Sequence, residues 1–288
     1  MSIHGILGEQ TTDYPTTYSP ETLYPIARRL GRDAIGWHNN KLSVGMDWWH
    51  AFEMSWLNTQ GISQVAMARF CIPATSAFIV ESKSLKLYLN SINFTEFANW
   101  DEVQALITKD LSACIQAEVQ VELFDLEGHN SGLLITQPDG ICIDNALADS
   151  SEKVDLTLHP DASLLATSND KSVNAQQNVE QDFTFYSNLL RSNCPVTNQP
   201  DWGTLAIEMT SKRELNQASM LRYILSFRQH NGFHEQCVEQ IFAELSQCYE
   251  PSALMVRAWY TRRGGIDINP CRVSDLSLLP KPSRLIRQ

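Results

Sequence analysis

The order of hydrophobic and polar positions predicts alternating strands and helices. Aromatic, β-branched and other apolar residues dominate residues 47–57 and 64–80, which is typical of strands. After Glu81 the period changes, because apolar residues recur at i, i+3, i+4 and i+7: Leu85, Tyr88, Leu89 and Ile92. This spacing places them on one face of an amphipathic helix.

A second helix is predicted to begin after Asn99. The Asn99 side chain can cap free backbone N–H groups, and Glu102 follows three residues later. The apolar face of this helix comprises Val103, Leu106, Ile107, Leu111 and Cys114. Residues 117–126 then have the composition of a returning strand. The predicted order is strand, strand, helix, helix, strand.

The second half of the chain repeats this order. Residues 183–190 and 203–209 are predicted strands, and residues 253–260 form a predicted returning strand. Two helices are predicted between them from the apolar residues Met220, Leu221, Ile224 and Leu225, and then Val238, Ile241, Phe242 and Leu245. The repeat predicts an α+β fold built from two similar modules.

Changes in composition predict the limits of these modules. We expect an N-terminal module over residues 1–150, a polar connector over 151–181 and a C-terminal module over 182–288. The segment V-D-L-T-L within the connector could form a short strand. Residues 1–43 are rich in Thr, Pro, Tyr and Gly, so we expect an arm with little regular structure of its own.

The composition restricts the class of protein. The chain has 288 residues, of which 43% are hydrophobic, so it can bury a sizeable core. A formal net charge of −11 argues against a dedicated binder of nucleic acid or of anionic membranes. The charge favours a small-molecule partner. The sequence contains no secretory signal and no run of 18 apolar residues, so we expect no membrane span.

The cysteines and histidines are widely scattered. No C-x-x-C pair occurs among the seven cysteines, so we expect reduced thiols and a cytoplasmic protein. Neither residue type has the spacing of a metal site, and we expect no metal. No G-x-G-x-x-G segment supports a Rossmann domain.

The segment S-N-C-P-V-T-N-Q-P-D-W at 192–202 is the first candidate for chemistry. Pro195 and Pro200 restrict its backbone, so Cys194 and Asp201 lie on neither a helix nor a free coil. A thiolate is a strong nucleophile, and a nearby carboxyl group can donate or accept a proton. On composition alone, a small buried thiol and a turn aspartate are the simpler interpretation.

Three further segments have polar residues at predicted element ends. E-S-K-S-L-K at 81–86 begins a helix, a place suited to phosphates. F-H-E at 233–235 begins another, where the macrodipole favours an ionised carboxylate. In R-R-G-G at 262–265, glycine permits close approach of a ligand and arginine can bind phosphate. Each segment also has an ordinary structural interpretation, as a helix start or a basic hairpin turn.

Together these segments resemble the NADPH-dependent 7-cyano-7-deazaguanine reductases, the nitrile reductases of queuosine biosynthesis. The resemblance extends over E-S-K-S-L-K-L-Y-L-N at 81–90, F-R-Q-H-N-G-F-H-E at 227–235 and R-R-G-G-I-D-I-N-P at 262–270, in the family's order. It implies two tandem tunnelling-fold modules, with antiparallel sheets and helices on the outer face. It also implies the long, two-module form of the family and a homodimer.

The resemblance assigns roles to individual residues. It implies that NADPH reduces the nitrile of 7-cyano-7-deazaguanine to an aminomethyl group through a thioimide on Cys194. Asp201 would donate and accept protons, and His234 would line the site and assist. The implied substrate contacts are Val80, Glu81, Ser82, His234 and Glu235, and the implied cofactor contacts are Ser82, Lys83, Arg263 and Gly264. Roles for Lys86 and Arg262 stay open.

Two other classes of function remain as alternatives. A cysteine-dependent nitrile hydrolase or a cyclohydrolase on the same fold would not consume NADPH, and a purine-binding module would tolerate loss of Cys194. In the short form of the family, the E-S-K-S-L-K and F-H-E motifs lie in one module, whereas here they lie in different halves. We therefore expect a site where the two modules meet, within one subunit or across a dimer interface.

Overall fold

Both halves of the chain contribute to one large β-sheet. The computed structural model describes residues 14–37, 42, 44–127, 133, 135–151, 153, 154, 157–165 and 179–288. The strands are β1 (Pro25–Ala27), β2 (Gly45–Asn58), β3 (Ser63–Pro73), β4 (Phe78–Val80), β5 (Glu96–Phe97), β6 (Gln120–Phe124), β7 (Ile135–Thr136), β8 (Ile141–Cys142), β9 (Gln181–Asn193), β10 (Pro200–Ser211), β11 (Ala253–Tyr260), β12 (Ile266–Val273) and β13 (Arg284–Leu285). The helices are α1 (Arg28–Ala34), α2 (Ser82–Ser91), α3 (Trp100–Ile115), α4 (Gln217–Ser226) and α5 (His234–Tyr249).

The main sheet has the strand order β6-β3-β2-β12-β11-β10-β9-β8, with β5 beside β2. The long strands pair with their neighbours in antiparallel orientation. The short strand β5 pairs in parallel with β2, and the short strand β8 pairs in parallel with β9. Helices α2 and α3 cover the first half of the sheet, and α4 and α5 cover the second half, each pair over its own apolar core. The predicted α+β class with antiparallel strands is confirmed. Within the described ranges, no helix is long and apolar enough to cross a lipid bilayer.

Local signals in the sequence correctly positioned the four longer helices, α2 to α5, and the long strands other than β12. The Asn99 side chain caps α3 by accepting a hydrogen bond from the Glu102 backbone N–H at 3.0 Å, as predicted. The predicted strand over residues 64–80 is instead two strands, β3 and β4, because the chain turns at Ala74 and resumes by pairing with β1. That pairing brings Val80 to the edge of the candidate site.

Strand β12 was not predicted, although it joins the two halves. It pairs with β11 on one side and with β2 on the other, so it closes the gap between the modules. Its sequence I-D-I-N-P-C-R-V contains Asp, Asn and Pro, which are depleted in strands. Its polar side chains are nevertheless buried, because tertiary partners satisfy them. Local propensity could not reveal those partners.

The N-terminal arm is more ordered than expected. The prediction of little regular structure in residues 1–43 is wrong for residues 25–34, which form β1 and α1. Arg28 and Arg32 of α1 reach buried carboxylates of the sheet and of α5. The arm is therefore tied to both halves of the protein.

The connector contributes to the second core where the structure describes it. Leu165 follows a short 3-10 turn at Ala162–Leu164 and packs into the apolar cluster beneath α4 and α5. Ile143, just after β8, packs into the same cluster. Two residues of the candidate strand V-D-L-T-L, 155 and 156, lie outside the described residues.

A buried network of charges crosses the junction between the halves. Arg272 of β12 donates hydrogen bonds to Asp47 of β2 at 2.6 Å and to Glu239 of α5 at 2.8 Å. Arg28 contacts Asp47 at 2.6 Å, and Arg32 contacts Glu239 at 2.8 Å. The Arg272 and Asp47 side chains are fully buried. Removing one member would therefore leave its partners charged and desolvated.

We expect Arg272→Ala to lower the free energy of unfolding by about 3–5 kcal/mol, because Asp47 and Glu239 would lose a buried counter-charge. Urea unfolding followed by tryptophan fluorescence measures the loss. Arg213→Ala is the matched control, since the Arg213 ion pair with Glu250 is largely exposed. The control should lose less than about 1 kcal/mol. Equal losses in the two variants would contradict the importance of the network.

Candidate functional site

A cleft opens where the N-terminal and C-terminal halves meet. Its volume is about 560 Å³ to the open mouth. The lining residues come from both halves: Trp49, Val80, Glu81, Ser82, Cys194, Pro195, Asp201, Phe233, His234, Glu235, Thr261, Arg263, Ile266 and Ile268. The structure therefore brings together every predicted catalytic and substrate residue. Of the predicted cofactor residues, Ser82 and Arg263 line the cleft, whereas Lys83 and Gly264 lie beside lining residues in the sequence.

The cysteine loop is held by its own backbone. The Cys194 N–H donates to the Gln199 carbonyl at 2.9 Å, and the Asn198 N–H donates to the Cys194 carbonyl at 2.9 Å. Asn193, at the end of β9, exchanges backbone hydrogen bonds with His230 and Gly232, just before α5. The Cys194 loop and the start of α5 are therefore fixed against each other.

Cys194 differs in exposure from the other thiol of this region. Cys194 is partly exposed at the cleft, whereas Cys237, one turn into α5, is fully buried. Burial raises the pKa of the Cys237 thiol to about 12, so Cys237 stays protonated at neutral pH. Cys194 is the thiol that a ligand in the cleft can reach.

Asp201 lies between two positive or potentially positive groups. Arg263 donates a hydrogen bond to its Oδ1 at 2.5 Å, and His234 Nε2 lies 3.4 Å from its Oδ2. Burial alone would raise the pKa of Asp201, but His234 and Arg263 together hold that pKa below its ordinary value. Asp201 is therefore a carboxylate at neutral pH, and any proton that it accepts is readily passed on.

His234 is oriented by an aromatic neighbour. Its ring stacks on the ring of Tyr260 with a centroid separation of 3.9 Å and an interplanar angle of 23°. Tyr260 is fully buried in β11, so the stacking fixes the imidazole plane. His234 is the first residue of α5, and Glu235 follows it into the cleft.

Glu235 is a buried carboxyl group with unused hydrogen-bonding capacity. Only 2% of its surface is exposed, and its Oε1 has no hydrogen-bond partner among the described residues. Burial and the nearby charge of Asp47 raise its pKa to about 7, although His234 and Arg28 oppose the shift. The sequence suggested that the start of α5 would hold Glu235 ionised, but with this raised pKa the carboxyl group is only partly ionised at neutral pH. It presents a desolvated acceptor to a ligand with N–H groups.

Glu81 has a structural role besides facing the cleft. It caps α2 by accepting hydrogen bonds from the Lys83 N–H at 3.0 Å and the Ser84 N–H at 2.7 Å. Burial raises its pKa, while these backbone hydrogen bonds work in the opposite direction. The cap also places the Ser82 hydroxyl at the cleft wall. Helix capping thereby fixes the geometry of the predicted ligand contacts.

The predicted cofactor residues suit an anionic dinucleotide. Lys83, on the first turn of α2, and Arg263 supply positive charge, and Ser82 supplies a hydroxyl donor. Gly264 has a φ of +59°, and a Cβ added there would meet nothing within 4 Å, so a ligand can approach its backbone. This donor set fits phosphate groups.

The two basic residues left open by the sequence are engaged elsewhere. Lys86 forms an ion pair with Glu53. The Arg262 guanidinium stacks over Phe52 at 4.1 Å and donates to the Gln288 carbonyl at 2.9 Å. Within the described ranges, no group of three or more His, Cys, Asp or Glu residues could hold a metal ion.

The apolar walls of the cleft were not predicted from the sequence. Trp49, Ile266 and Ile268 form a wall from β2 and β12, while Phe233 and Thr261 add further surface. The alternation in β2 indicates that Trp49 and Trp48 face opposite sides of the sheet, but not which side holds the site. The register of β12 on β2, with Ile268 opposite Trp49, decides this.

The site has the features of an enzyme with a nucleophilic cysteine: a cleft lined by an accessible thiol, an ionised carboxylate and a histidine. Sequence models of two protein families match the chain. One is described as "Nitrile reductase, 7-cyano-7-deazaguanine-reductase N-term" and matches residues 14–123. The other, "QueF-like protein", matches residues 200–276. Both matched segments contribute lining residues to the cleft, while Cys194 lies just before the second.

Curated relatives agree over the whole length. The chain is 77% identical to the NADPH-dependent 7-cyano-7-deazaguanine reductase of Psychrobacter cryohalolentis over 288 residues, which covers all of both chains. It is 51% identical to the enzyme of the same name from Acinetobacter baylyi, again over all of both chains. The chain therefore belongs to the 7-cyano-7-deazaguanine reductase family, as the sequence motifs indicated.

We expect Glu235→Gln to stabilise the protein at high pH. A carboxyl group whose folded pKa is about 7, against 4.5 ordinarily, costs stability as pH rises from about 4.5 to about 7. The amide cannot ionise, so the variant should gain about 2 kcal/mol over wild type at pH about 8 and little at pH about 5. Urea unfolding at the two pH values measures this difference.

Glu239→Gln is the control, because Glu239 lies one turn further along α5. Burial alone would raise the pKa of Glu239, but Arg272, Arg32 and Arg28 lower it. This variant should therefore lose stability at pH about 8, opposite in sign to Glu235→Gln. A gain for Glu235→Gln that does not change with pH would show that its carboxyl group is not strained by burial.

Proposed function

We propose that this chain is an NADPH-dependent oxidoreductase that reduces the nitrile of 7-cyano-7-deazaguanine to a primary amine, giving 7-aminomethyl-7-deazaguanine for queuosine biosynthesis. The observation that carries this proposal is the meeting of Cys194, Asp201, His234 and Glu235 in one cleft of a chain that belongs to the reductase family. Nitrile to amine is a four-electron change. The relatives are named as NADPH-dependent, and two equivalents of NADPH balance the reaction.

The cleft suits a flat heteroaromatic substrate. Trp49, Ile266 and Ile268 offer an apolar wall, and Glu235 offers a buried carboxylate. The pyrimidine edge of a deazaguanine presents a ring N–H beside an exocyclic amino group, and one carboxylate can accept hydrogen bonds from both. Each charge-assisted hydrogen bond contributes about 1.5–3 kcal/mol. Glu81, Ser82 and Val80 would contact the substrate from the opposite side.

The first chemical step follows from the charge of Asp201. As a carboxylate it accepts the proton of the Cys194 thiol, and the resulting thiolate adds to the nitrile carbon. The C–S bond forms as one π bond of the nitrile breaks, and the nitrogen takes the proton that Asp201 received. A neutral thioimide results, and Asp201 returns to its ionised form. His234, fixed by Tyr260, supports these transfers from 3.4 Å.

When bound, NADPH would supply the two hydrides of this four-electron reduction, and Asp201 would pass the proton that accompanies each one. Ser82, Lys83, Arg263 and Gly264 would hold this cofactor. Arg263 would then contact both the cofactor and Asp201, since it already donates to Asp201 Oδ1. An anion bound at Arg263 would therefore weaken the hold of Arg263 on Asp201 and raise the pKa of Asp201.

The fold supports two tandem tunnelling-fold modules with the limits 1–150 and 182–288, joined by the connector 151–181. Each half supplies long antiparallel strands covered by a helix pair. We assign a cytoplasmic location and a homodimer on the resemblance to the long form of the family. Within the described chain, both faces of the cleft come from one subunit.

The experiment is to incubate the protein with 7-cyano-7-deazaguanine and NADPH and to follow NADPH oxidation by absorbance and the amine by mass spectrometry. We expect two NADPH per nitrile consumed, since each supplies two electrons. Cys194→Ala should lose turnover and Thr197→Ala should keep it, because Thr197 is an exposed residue of the same loop. Ammonia release without NADPH oxidation would indicate a nitrile hydrolase and overturn the proposal.

A further inference from the structure

The buried charges behind the cleft have no role in the reaction proposed above. They belong to Arg28, Asp47, Glu239 and Arg272, with Arg32 at the edge. Three guanidinium groups in this network face two carboxylates. Glu235 lies one helical turn before Glu239 on α5.

Both Arg28 and Glu235 have an unused atom. Arg28 donates from Nη2 to Asp47 at 2.6 Å and from Nε to the Ser76 hydroxyl at 2.8 Å. Its buried Nη1 has no hydrogen-bond partner in the described part of the chain and lies 3.7 Å from Glu239 Oε1. Glu235 Oε1 is likewise buried and unpartnered there.

The charges around Glu235 oppose one another. Asp47 of β2 disfavours its ionised form, while Arg28 of α1 and His234 of α5 favour it. The remaining charged groups near this position are Arg272 of β12 and Glu239 of α5, which pair with each other, and Asp201 of β10. The thiol of Cys237 is a titratable but neutral neighbour. Arg28 and Asp47 are thus bonded to each other yet act on Glu235 with opposite signs.

We propose that Arg28 is a positioning residue for substrate recognition, whose buried guanidinium favours the charged form of Glu235 that the ring N–H and amino groups of the substrate require. This inference rests on the role proposed for Glu235. The N-terminal arm therefore acts on a site that it does not line. Desolvation of Glu235 strengthens its hydrogen bonds to the substrate, and Arg28 offsets the cost of its charge.

The test measures noncovalent affinity for 7-cyano-7-deazaguanine in full-length Cys194→Ala protein by calorimetry, from pH about 5.5 to about 8.5. Binding should strengthen as pH rises through the ionisation of Glu235. In this background, Arg28→Gln should move the midpoint of that change upward by about one pH unit, and Asp47→Asn should move it downward by about as much. Both changes break the same ion pair, so a purely structural role predicts no such opposition.

Two further variants separate charge from structure. Arg28→Lys keeps the charge but loses the forked hydrogen bonds, so its midpoint should stay close to that of the parent protein. Arg32→Gln removes an arginine that also binds Glu239 but lies at the edge of the network, and it should shift the midpoint less than Arg28→Gln. If Arg28→Gln does not fold, Arg28→Lys and Asp47→Asn still decide the question.

Shifts of the same sign in Arg28→Gln and Asp47→Asn would overturn the inference, as would a Lys variant that shifts the midpoint as far as Gln. Glu235→Gln identifies which claim has failed. If Glu235→Gln abolishes the pH-dependent step while Arg28→Gln leaves it in place and unshifted, only the inference about Arg28 fails. If Glu235→Gln leaves affinity and its pH dependence unchanged, the role of Glu235 fails as well.

Discussion

The pairing of β12 with β2 is the interaction on which the site depends. It places Ile268 opposite Trp49 and so builds the apolar wall of the cleft from both halves. The same two strands carry Arg272 and Asp47, whose buried ion pair extends to α5. A slip of one residue would turn Asp267 and Asn269 toward the cleft in place of the isoleucines. Register therefore decides at once what the substrate contacts and which charges are neutralised.

Charge balance at the start of α5 links stability to recognition. Glu235 is buried among charges of both signs, and one of its buried oxygens has no hydrogen-bond partner in the described part of the chain. Such a group is costly in the free protein and becomes useful when ligand N–H groups replace the missing water. Asp201 lies in the opposite situation, because Arg263 and His234 hold it ionised. Two carboxyl groups in one cleft are thus suited to different tasks by their neighbours.

Much of the fold could be predicted from local patterns. The apolar stripe from Leu85, the Asn99 cap and the repeated order of elements are properties of short segments, and they predicted helices α2 to α5 and the long strands other than β12. Motif resemblance gave the residues that meet in the cleft. Strand β12 and helix α1 could not be predicted, because Asp267, Asn269 and Arg28 are stabilised by partners far away in the sequence. The raised pKa of Glu235 depends on Asp47 and on burial, which no linear motif records.

The proposed reaction depends on a covalent bond between Cys194 and the nitrile, with Asp201 as proton carrier. Intact-protein mass spectrometry of the wild type mixed with 7-cyano-7-deazaguanine in the absence of NADPH detects this bond. We expect a gain of one substrate mass located on Cys194 by peptide mapping, no gain in Cys194→Ala, and slow gain in Asp201→Asn. An adduct on Cys237 or Cys142, or none on the wild type, would contradict it.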